Sequence, residues 1–210
     1  DNIAYMRLEA GTNLIGGQPI SYENMKDATD LAKKHGIVTI LDASLLQDNL
    51  YFIKTREESM KDKSIREITR MIADLFDIIY FSARKFGFGR GGGIMVRDEE
   101  MFHEMEDYIT MFEGFLTYGG MSVKEMEALI IGFEETMDMD IISQGPQFIA
   151  HAVKELDALG VPMVTPGGGL GAHIDNEKRR HLHKKRLGSR DHSVAGLPYR
   201  KRHCRPCRDI

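Results

Sequence analysis

The sequence is poor in cysteine and has no long apolar run. It holds two cysteines in 210 residues, and both, Cys204 and Cys207, stand close to its end. The residues before them cannot form a disulfide, which is typical of an intracellular protein. No apolar run approaches the roughly 20 residues of a membrane-spanning helix, and no signal-peptide pattern opens the sequence. We therefore expect a cytoplasmic protein without a membrane partner.

Charge is modest in total and uneven in its distribution. The net charge is -4, but residues 177–210 carry +9 and the 176 residues before them carry -13. The hydrophobic content of 42% is enough for one core. Length and composition therefore predict one domain or two small ones, followed by a basic tail.

The tail, residues 176–210, shows neither helical nor strand periodicity. We expect a solvated, disordered segment of the kind that a frameshift or a broken gene would append. Two functional interpretations remain open beside it. Clustered lysine and arginine bind nucleic-acid phosphates without sequence preference. Cys204-x-x-Cys207 with His203 is half of a zinc site, which needs four well-spaced ligands. We favour the disordered tail, without a nucleic-acid or metal partner.

A short apolar and aromatic run, Ile78–Phe81, is followed by Lys85. The brevity of the run predicts a buried strand rather than a helix. A lysine at a strand end, among apolar neighbours, can lose part of its hydration. Its amine is then more easily deprotonated and can attack an aldehyde. The glycines within 87–93 let the backbone turn sharply and approach a ligand. The competing interpretation is a surface lysine that leads into a flexible loop.

A second β-branched run, Ile37–Leu41, ends in Asp42. Before it, apolar residues over 23–35 recur at helical spacing, and Gly36 ends the segment. Strands that alternate with helices predict a parallel sheet, whose ligands bind beyond the carboxyl ends of the strands. Asp42 and Lys85 would both project there. A carboxylate that keeps a pyridine nitrogen protonated and a lysine that bonds an aldehyde are what pyridoxal phosphate requires of its protein.

Five separated motifs carry a family resemblance: TNLIGGQPIS at 12–21, DAS at 42–44, DNLYFIK at 48–54, SARK at 82–85 and EGFLTYGG at 113–120. From the first residue to about Asp175, the chain resembles tryptophanase and tyrosine phenol-lyase, the aromatic amino acid β-eliminating lyases. The resemblance implies an α/β fold. The chain would form part of the large domain of the aspartate-aminotransferase-like (type I) pyridoxal phosphate fold, with a mainly parallel sheet, plus the start of the small domain.

The resemblance also implies a site and an activity. Lys85 would be the Schiff-base lysine and Asp42 the partner of the pyridine nitrogen, with Asn13 near the phenolic oxygen and Ser82 near the phosphate of pyridoxal 5'-phosphate. The implied reaction converts tryptophan to indole, or tyrosine to phenol, together with pyruvate and ammonia. Intact members are homotetramers. The alternative is a catalytically inactive fragment of such a lyase.

Three departures from the family pattern bear on that site. The family places an arginine near the phenolic oxygen where this chain has Leu45, so a donor and a positive charge are missing. Near Arg90 the family has a polar residue that helps bind potassium. We expect the arginine to replace the cation, the alternative being an exposed loop residue. A large amino-terminal part of the family, which supplies most phosphate contacts, is absent from this sequence, which bears on whether this chain binds the cofactor by itself.

The remaining pattern is mainly helical. Ser64 and Glu67 fit a capping box that opens a helix reaching Leu75. Helical spacing also covers 99–112, 123–136 and 148–159, and a short strand is predicted at 160–164. We place a partial cofactor-binding large domain at 1–120, a linking helix and the start of the small domain at 121–175, and the tail at 176–210.

Overall fold

The structure, a computed structural model, describes residues 3–112, 114–115 and 120–179. The chain divides into two units, Asp1–Asp175 and Asn176–Ile210, and the fold described below is that of the first. His203, the Cys204-x-x-Cys207 pair and all of the basic tail beyond residue 179 lie outside the described residues.

One sheet organises the first unit. Its strands run in the order β1 (Tyr5–Glu9), β2 (Val38–Asp42), β3 (Ile78–Ser82) and β4 (Gly92–Val96). The first three strands are parallel, and β4 pairs antiparallel with β3. This confirms the mainly parallel α/β sheet predicted from the sequence.

The strand β4 was not predicted, because its glycines favour a loop on sequence alone. In the sheet, Gly92 pairs with Ser82 and Gly93 with Phe81. A Cβ on Gly92 would lie 2.5 Å from the Phe81 carbonyl oxygen, and one on Gly93 would lie 2.8 Å from the Phe81 ring. The glycines therefore let β4 approach β3 over a bulky side chain.

Helices connect and cover the strands. They are α1 (Tyr22–Lys34), α2 (Leu46–Arg56), α3 (Ile65–Ala73), α4 (Glu99–Phe112), α5 (Val123–Glu135), α6 (Met139–Ile142) and α7 (Gln144–Ala158). The hydroxyl of Ser21 caps α1 by accepting from the Asn24 N–H at 3.1 Å. Gly36, at φ +66°, then turns the chain toward β2. None of the described helices has the length and hydropathy that a bilayer crossing requires.

The capping box predicted for α3 is confirmed. The Ser64 hydroxyl accepts from the Glu67 N–H at 3.2 Å, and the Glu67 carboxylate accepts from the Ser64 N–H at 2.7 Å. Such reciprocal bonds satisfy two backbone donors that a helix start leaves unpaired. This helix turns an apolar face toward the core, since Ile68 and Ile72 are fully buried.

Two predictions differ from the structure in the carboxyl-terminal part. Helix α7 begins at Gln144 rather than 148, because Pro146 falls in the first turn, where no N–H is needed. The strand predicted at 160–164 is wrong. Only an isolated bridge pairs Met163 with Ile174. Pro162 and Pro166 flank it and cannot donate to a ladder.

The core lies on one face of the sheet. Leu41 of β2 and Phe81 of β3 join Met25, Leu50 and Ile68 of three helices in one buried cluster. Each such side chain contributes about 1.5–3 kcal/mol when fully buried. Alternate strand residues point to opposite faces. The polar side chains at the other face are therefore free to form a site.

Candidate active site

The ends of β2 and β3 bring the two main candidates to one edge of the sheet. Asp42 is the last residue of β2 and pairs with Tyr80 of β3, two residues before that strand ends. Lys85 follows in the turn directly after β3, where its N–H donates to the Ser82 carbonyl at 3.1 Å. Since β2 and β3 are adjacent and parallel, both residues leave the sheet at its carboxyl edge.

The amine of Lys85 is held by an amide side chain. Its Nζ donates to the Asn13 Oδ1 at 2.9 Å, and the Asn13 Nδ2 donates in turn to the Glu9 Oε1 at 2.8 Å. Lys85 is half-buried, and no carboxylate lies within ion-pair distance of it among the described residues. The structure thus brings together Lys85 and Asn13, which lie 72 positions apart in sequence.

Asp42 is buried and accepts hydrogen bonds on both oxygens. Its Oδ1 accepts from the Ser44 N–H at 3.1 Å, and its Oδ2 accepts from the Tyr80 hydroxyl at 2.8 Å. The guanidinium of Arg7 lies 3.4 Å from the same Oδ2 and donates to the Tyr80 oxygen at 2.6 Å. Burial raises the pKa of the Tyr80 hydroxyl, and its hydrogen bond to Asp42 raises the pKa further.

Ser82 ends β3 beside these groups. Its N–H donates to the Ser44 Oγ at 3.2 Å, which ties the ends of β3 and β2 together. Within the described part of the chain, the Ser82 hydroxyl makes no hydrogen bond, and the residue is half-buried. That hydroxyl is therefore available to a ligand at the sheet edge.

Arg7, Glu9 and Tyr80 belong to the site but were missed in the sequence. Arg7 lies 3.8 Å from Glu9, so a polar network runs from Lys85 through Asn13, Glu9 and Arg7 to Asp42. The available signal was the spacing of two between Arg7 and Glu9, which places both on one face of a strand. That spacing could not show that Asp42 and Tyr80 lie beside Arg7 on the neighbouring strands.

Leu45 occupies the place where the family pattern has an arginine. It is buried, at 2% exposure, and packs against the backbone turn at Gly11. A Cβ on Gly11, which has φ +80°, would lie 2.8 Å from the Leu45 Cβ. The position is therefore apolar packing beneath the end of β1, and it brings no cation to the site.

The glycine run turns the chain from β3 back into β4. Gly87 and Gly91 have φ +93° and +80°, values that favour glycine. Arg90 in this turn is exposed, and its charge adds to the hydrogen bonds from Ser122 that lower the pKa of Glu125. No group of His, Cys, Asp and Glu in the described ranges is arranged to hold a metal ion.

The donor set at the sheet edge suits pyridoxal phosphate. It offers an amine for the aldehyde, a carboxylate acceptor for the ring nitrogen, an amide near the amine and a free hydroxyl. These groups stand on Lys85, Asp42, Asn13 and Ser82. The remaining polar atoms of the cofactor would need partners beyond these four.

Comparison with known proteins agrees with this chemistry. The family model for β-eliminating lyases matches residues 1–193. The tyrosine phenol-lyase of Lacrimispora saccharolytica is 39% identical over 176 residues, which cover 83% of this chain and 38% of that enzyme. The tryptophanase of Rhodobacter capsulatus is 38% identical over 164 residues, covering 78% of this chain and 36% of that enzyme. The chain thus spans well under half the length of these relatives.

Solved structures share the fold. A protein assigned as an L-allo-threonine aldolase from Listeria monocytogenes superposes with a TM-score of 0.62 over 81% of this chain and 43% of its own, at 20% identity. A protein from Exiguobacterium assigned as an aromatic amino acid β-eliminating lyase/threonine aldolase gives 0.61 over 83% and 46%, also at 20% identity. At this level of identity the likeness concerns the fold alone. The family match covers most of the chain and agrees with the sequence relatives. The chain therefore belongs to the β-eliminating lyase family.

Proposed function

We propose that this chain carries the lysine and ring-nitrogen ends of a pyridoxal phosphate site in a carbon–carbon lyase. The observation that supports it is the joint placement of Lys85 and Asp42 at the carboxyl edge of adjacent parallel strands. The Lys85 amine is oriented by Asn13, and the Asp42 carboxylate is fixed by Ser44 and Tyr80.

Each residue has a distinct task in this proposal. Lys85 would hold the cofactor aldehyde through its amine, and the same amine, when free, would take the substrate α-proton at its Nζ. Asp42 would accept from the protonated ring nitrogen. The Asn13 amide would serve the phenolic oxygen, and the Ser82 hydroxyl would bind the phosphate. The bound cofactor supplies the electron sink that the protein lacks.

The names of two relatives support one substrate class. Both tyrosine phenol-lyase and tryptophanase are named for aromatic amino acids. We propose β-elimination of such a substrate, with phenol or indole expelled and the remaining three-carbon unit hydrolysed by one water to pyruvate and ammonia. We also propose that the intact protein forms a homotetramer. Within this chain we propose two domains, at 1–120 and 121–175.

Reductive trapping tests the lysine directly. The chain is incubated with pyridoxal phosphate and reduced with borohydride, and the modified peptide is located by mass spectrometry. Lys85 should carry the label, and Lys85→Arg should lose it because a guanidinium does not react with the aldehyde. The exposed Lys33 provides the matched control, since Lys33→Arg should leave the labelling of Lys85 intact. Label spread over surface lysines, with none on Lys85, would contradict the proposal.

A second candidate is an inactive fragment that keeps only part of the site. It is favoured by the coverage of 38% of the tyrosine phenol-lyase relative. Turnover separates the two candidates, since a labelled chain that releases no pyruvate from tyrosine or tryptophan is such a fragment.

The replacement of potassium by Arg90 stays a prediction. Equal cofactor loading in sodium and potassium supports it, and strong potassium dependence contradicts it.

A further inference from the structure

Four side chains from three adjacent strands meet on one face of the sheet. In the strand register, Glu9 lies opposite Asp42 and Asp42 opposite Tyr80, while Arg7 precedes Glu9 by two positions. All four side chains therefore point the same way. The contacts are 2.6 Å from Arg7 to the Tyr80 oxygen and 2.8 Å from that oxygen to the Asp42 Oδ2.

The chemistry of these groups fixes the direction of each hydrogen bond. A guanidinium donates and cannot accept, so the Tyr80 oxygen accepts from Arg7. The single proton of the Tyr80 hydroxyl is then left for the Asp42 Oδ2. On the other side of the carboxylate, the Ser44 N–H donates to Oδ1. Both oxygens of Asp42 are acceptors, and the plane of the carboxylate is held from two sides.

We propose that Arg7 and Tyr80 are positioning residues that hold the Asp42 carboxylate in place as the hydrogen-bond acceptor for a ring nitrogen bound there. This rests on the proposed function, because the ring is that of the cofactor. Neither residue touches the reacting atoms. They act through the carboxylate.

The pKa shifts of Tyr80 and Arg7 agree with contacts that run from Arg7 through Tyr80 to Asp42. The pKa of the Tyr80 hydroxyl is raised by burial and by the hydrogen bond to Asp42, and Arg7 acts in the opposite direction. The pKa of Arg7 is raised chiefly by its hydrogen bond to Tyr80, with Asp42 and Glu9 adding to the effect. The charged groups that face Tyr80 are thus Arg7 and Asp42, and Glu9 lies beyond Arg7.

The first test uses the protein without cofactor. Tyrosine labelled with carbon-13 at Cζ reports each phenol in an NMR titration, and Tyr80→Phe identifies the Tyr80 signal. Asp42→Asn should lower the pKa of Tyr80, since the carboxylate raises it, and Arg7→Met should raise that pKa. Opposite pKa shifts in the two variants support the proposed contacts of Tyr80 with Asp42 and Arg7. A Tyr80 pKa that is the same in wild type and both variants overturns the proposal.

The second test measures the consequence for the cofactor. Tyr80→Phe should weaken the binding of pyridoxal phosphate about tenfold, as expected for losing one hydrogen bond to a charged group. Tyr5→Phe is the matched control. Tyr5 lies on the same face of β1 as Arg7 and is exposed at 57%, and its hydroxyl makes no hydrogen bond within the described residues. Unchanged affinity in Tyr80→Phe overturns the proposal.

The two tests separate this inference from the proposed function. A wild-type chain that does not bind pyridoxal phosphate defeats the proposed function. The titration of Tyr80 still decides whether Arg7 and Tyr80 act on Asp42. Far-ultraviolet circular dichroism checks the fold of each variant. If Tyr80→Phe does not fold, Arg7→Met replaces it in the binding experiment with the same expected weakening, because Arg7 is half exposed and dispensable to the core.

Discussion

The two principal side chains of the site are held by different kinds of partner. An amide oxygen on Asn13 orients the Lys85 amine without placing a negative charge against it. The Asp42 carboxylate instead accepts a hydrogen bond from a phenol and lies beside a guanidinium. Within the described residues, the Lys85 amine thus has no ion-pair partner, while the Asp42 carboxylate has one in Arg7. This asymmetry matches a nucleophilic amine and a permanent acceptor.

Asp48 on α2 is a buried carboxylate outside the polar network. It is 8% exposed, and the backbone at Gly169 lies so close that a Cβ there would be 2.5 Å from the Asp48 Cβ. Within the described residues its carboxylate has neither a hydrogen bond nor an ion pair. Burial raises the pKa of Asp48 from 3.8 to about 6.

The pKa of Asp48 predicts how stability changes with pH. The folded pKa lies above the unfolded one, so this group stabilises the fold fully below about pH 4 and loses that contribution as pH rises through about 6. The loss amounts to about 3 kcal/mol at neutral pH. Asp48→Asn, which cannot ionise, should therefore raise the free energy of unfolding at about pH 8 by up to that amount.

Urea unfolding of wild type and variant across this pH range measures the difference. The exposed Asp62 gives the control, because Asp62→Asn should leave the pH dependence unchanged. A wild-type curve that runs parallel to that of Asp48→Asn from about pH 4 to about pH 8 would contradict the assignment to Asp48.

At the scale of elements, α5 supports the turn that carries Lys85. Gly132 of α5 lies directly on the Gly87 carbonyl, and a Cβ at Gly132 would be 1.6 Å from that oxygen. The rings of Phe81, Phe86 and Phe133 pack around the same contact at centroid distances of 5.3 to 5.8 Å. The helix therefore sets the position of the lysine turn through backbone contact and aromatic packing.

This contact predicts the effect of one added methyl group. Gly132→Ala should destabilise the protein by about 1–3 kcal/mol, because helix and turn must move apart. It should also weaken cofactor loading, since Gly87 is two residues from Lys85. Gly145→Ala in α7 is the control. Its Cβ would meet nothing nearer than 3.7 Å, so it should be neutral or slightly stabilising. Equal stability of the two variants in thermal unfolding would contradict the close contact.

For the whole molecule, the core belongs to the first unit. The buried cluster runs from Ala10 to Ile142, and the last buried apolar residue in the described part of the chain is Met163. Both fall within Asp1–Asp175. The candidate site residues lie in the same unit.

A chain that ends at Asp175 tests whether this unit is sufficient. We expect it to unfold at the same temperature as the full chain, within about 2 °C, because stability follows buried apolar surface. It should also trap pyridoxal phosphate at Lys85 to the same extent. Calorimetry and borohydride trapping on both chains give the comparison. A truncated chain that unfolds well below the full one shows that residues 176–210 contribute to the fold.

Much of the fold could be predicted because its signals are local. The runs that form β2 and β3 are rich in β-branched or aromatic residues. The capping box of Ser64 and Glu67 marks the start of α3. Local signals failed where a contact distant in sequence decides the conformation. The glycines of β4 pair with β3, and an added Cβ on Gly93 would collide with the Phe81 ring, a contact that the local sequence does not reveal. The bridge at Met163 stays isolated between two prolines.

The sequence alone determined which residue types could serve the cofactor, because a lysine and an aspartate after strand-like runs are visible in the order of residues. It also determined the alternation of helix and strand that makes the sheet parallel. Tertiary structure decided the partners of those residues. Asn13 reaches Lys85 from 72 positions away, and Arg7 and Tyr80 reach Asp42 from flanking strands. Strand register and strand order set these contacts, and both are fixed by packing over the whole sheet rather than by neighbours in the chain.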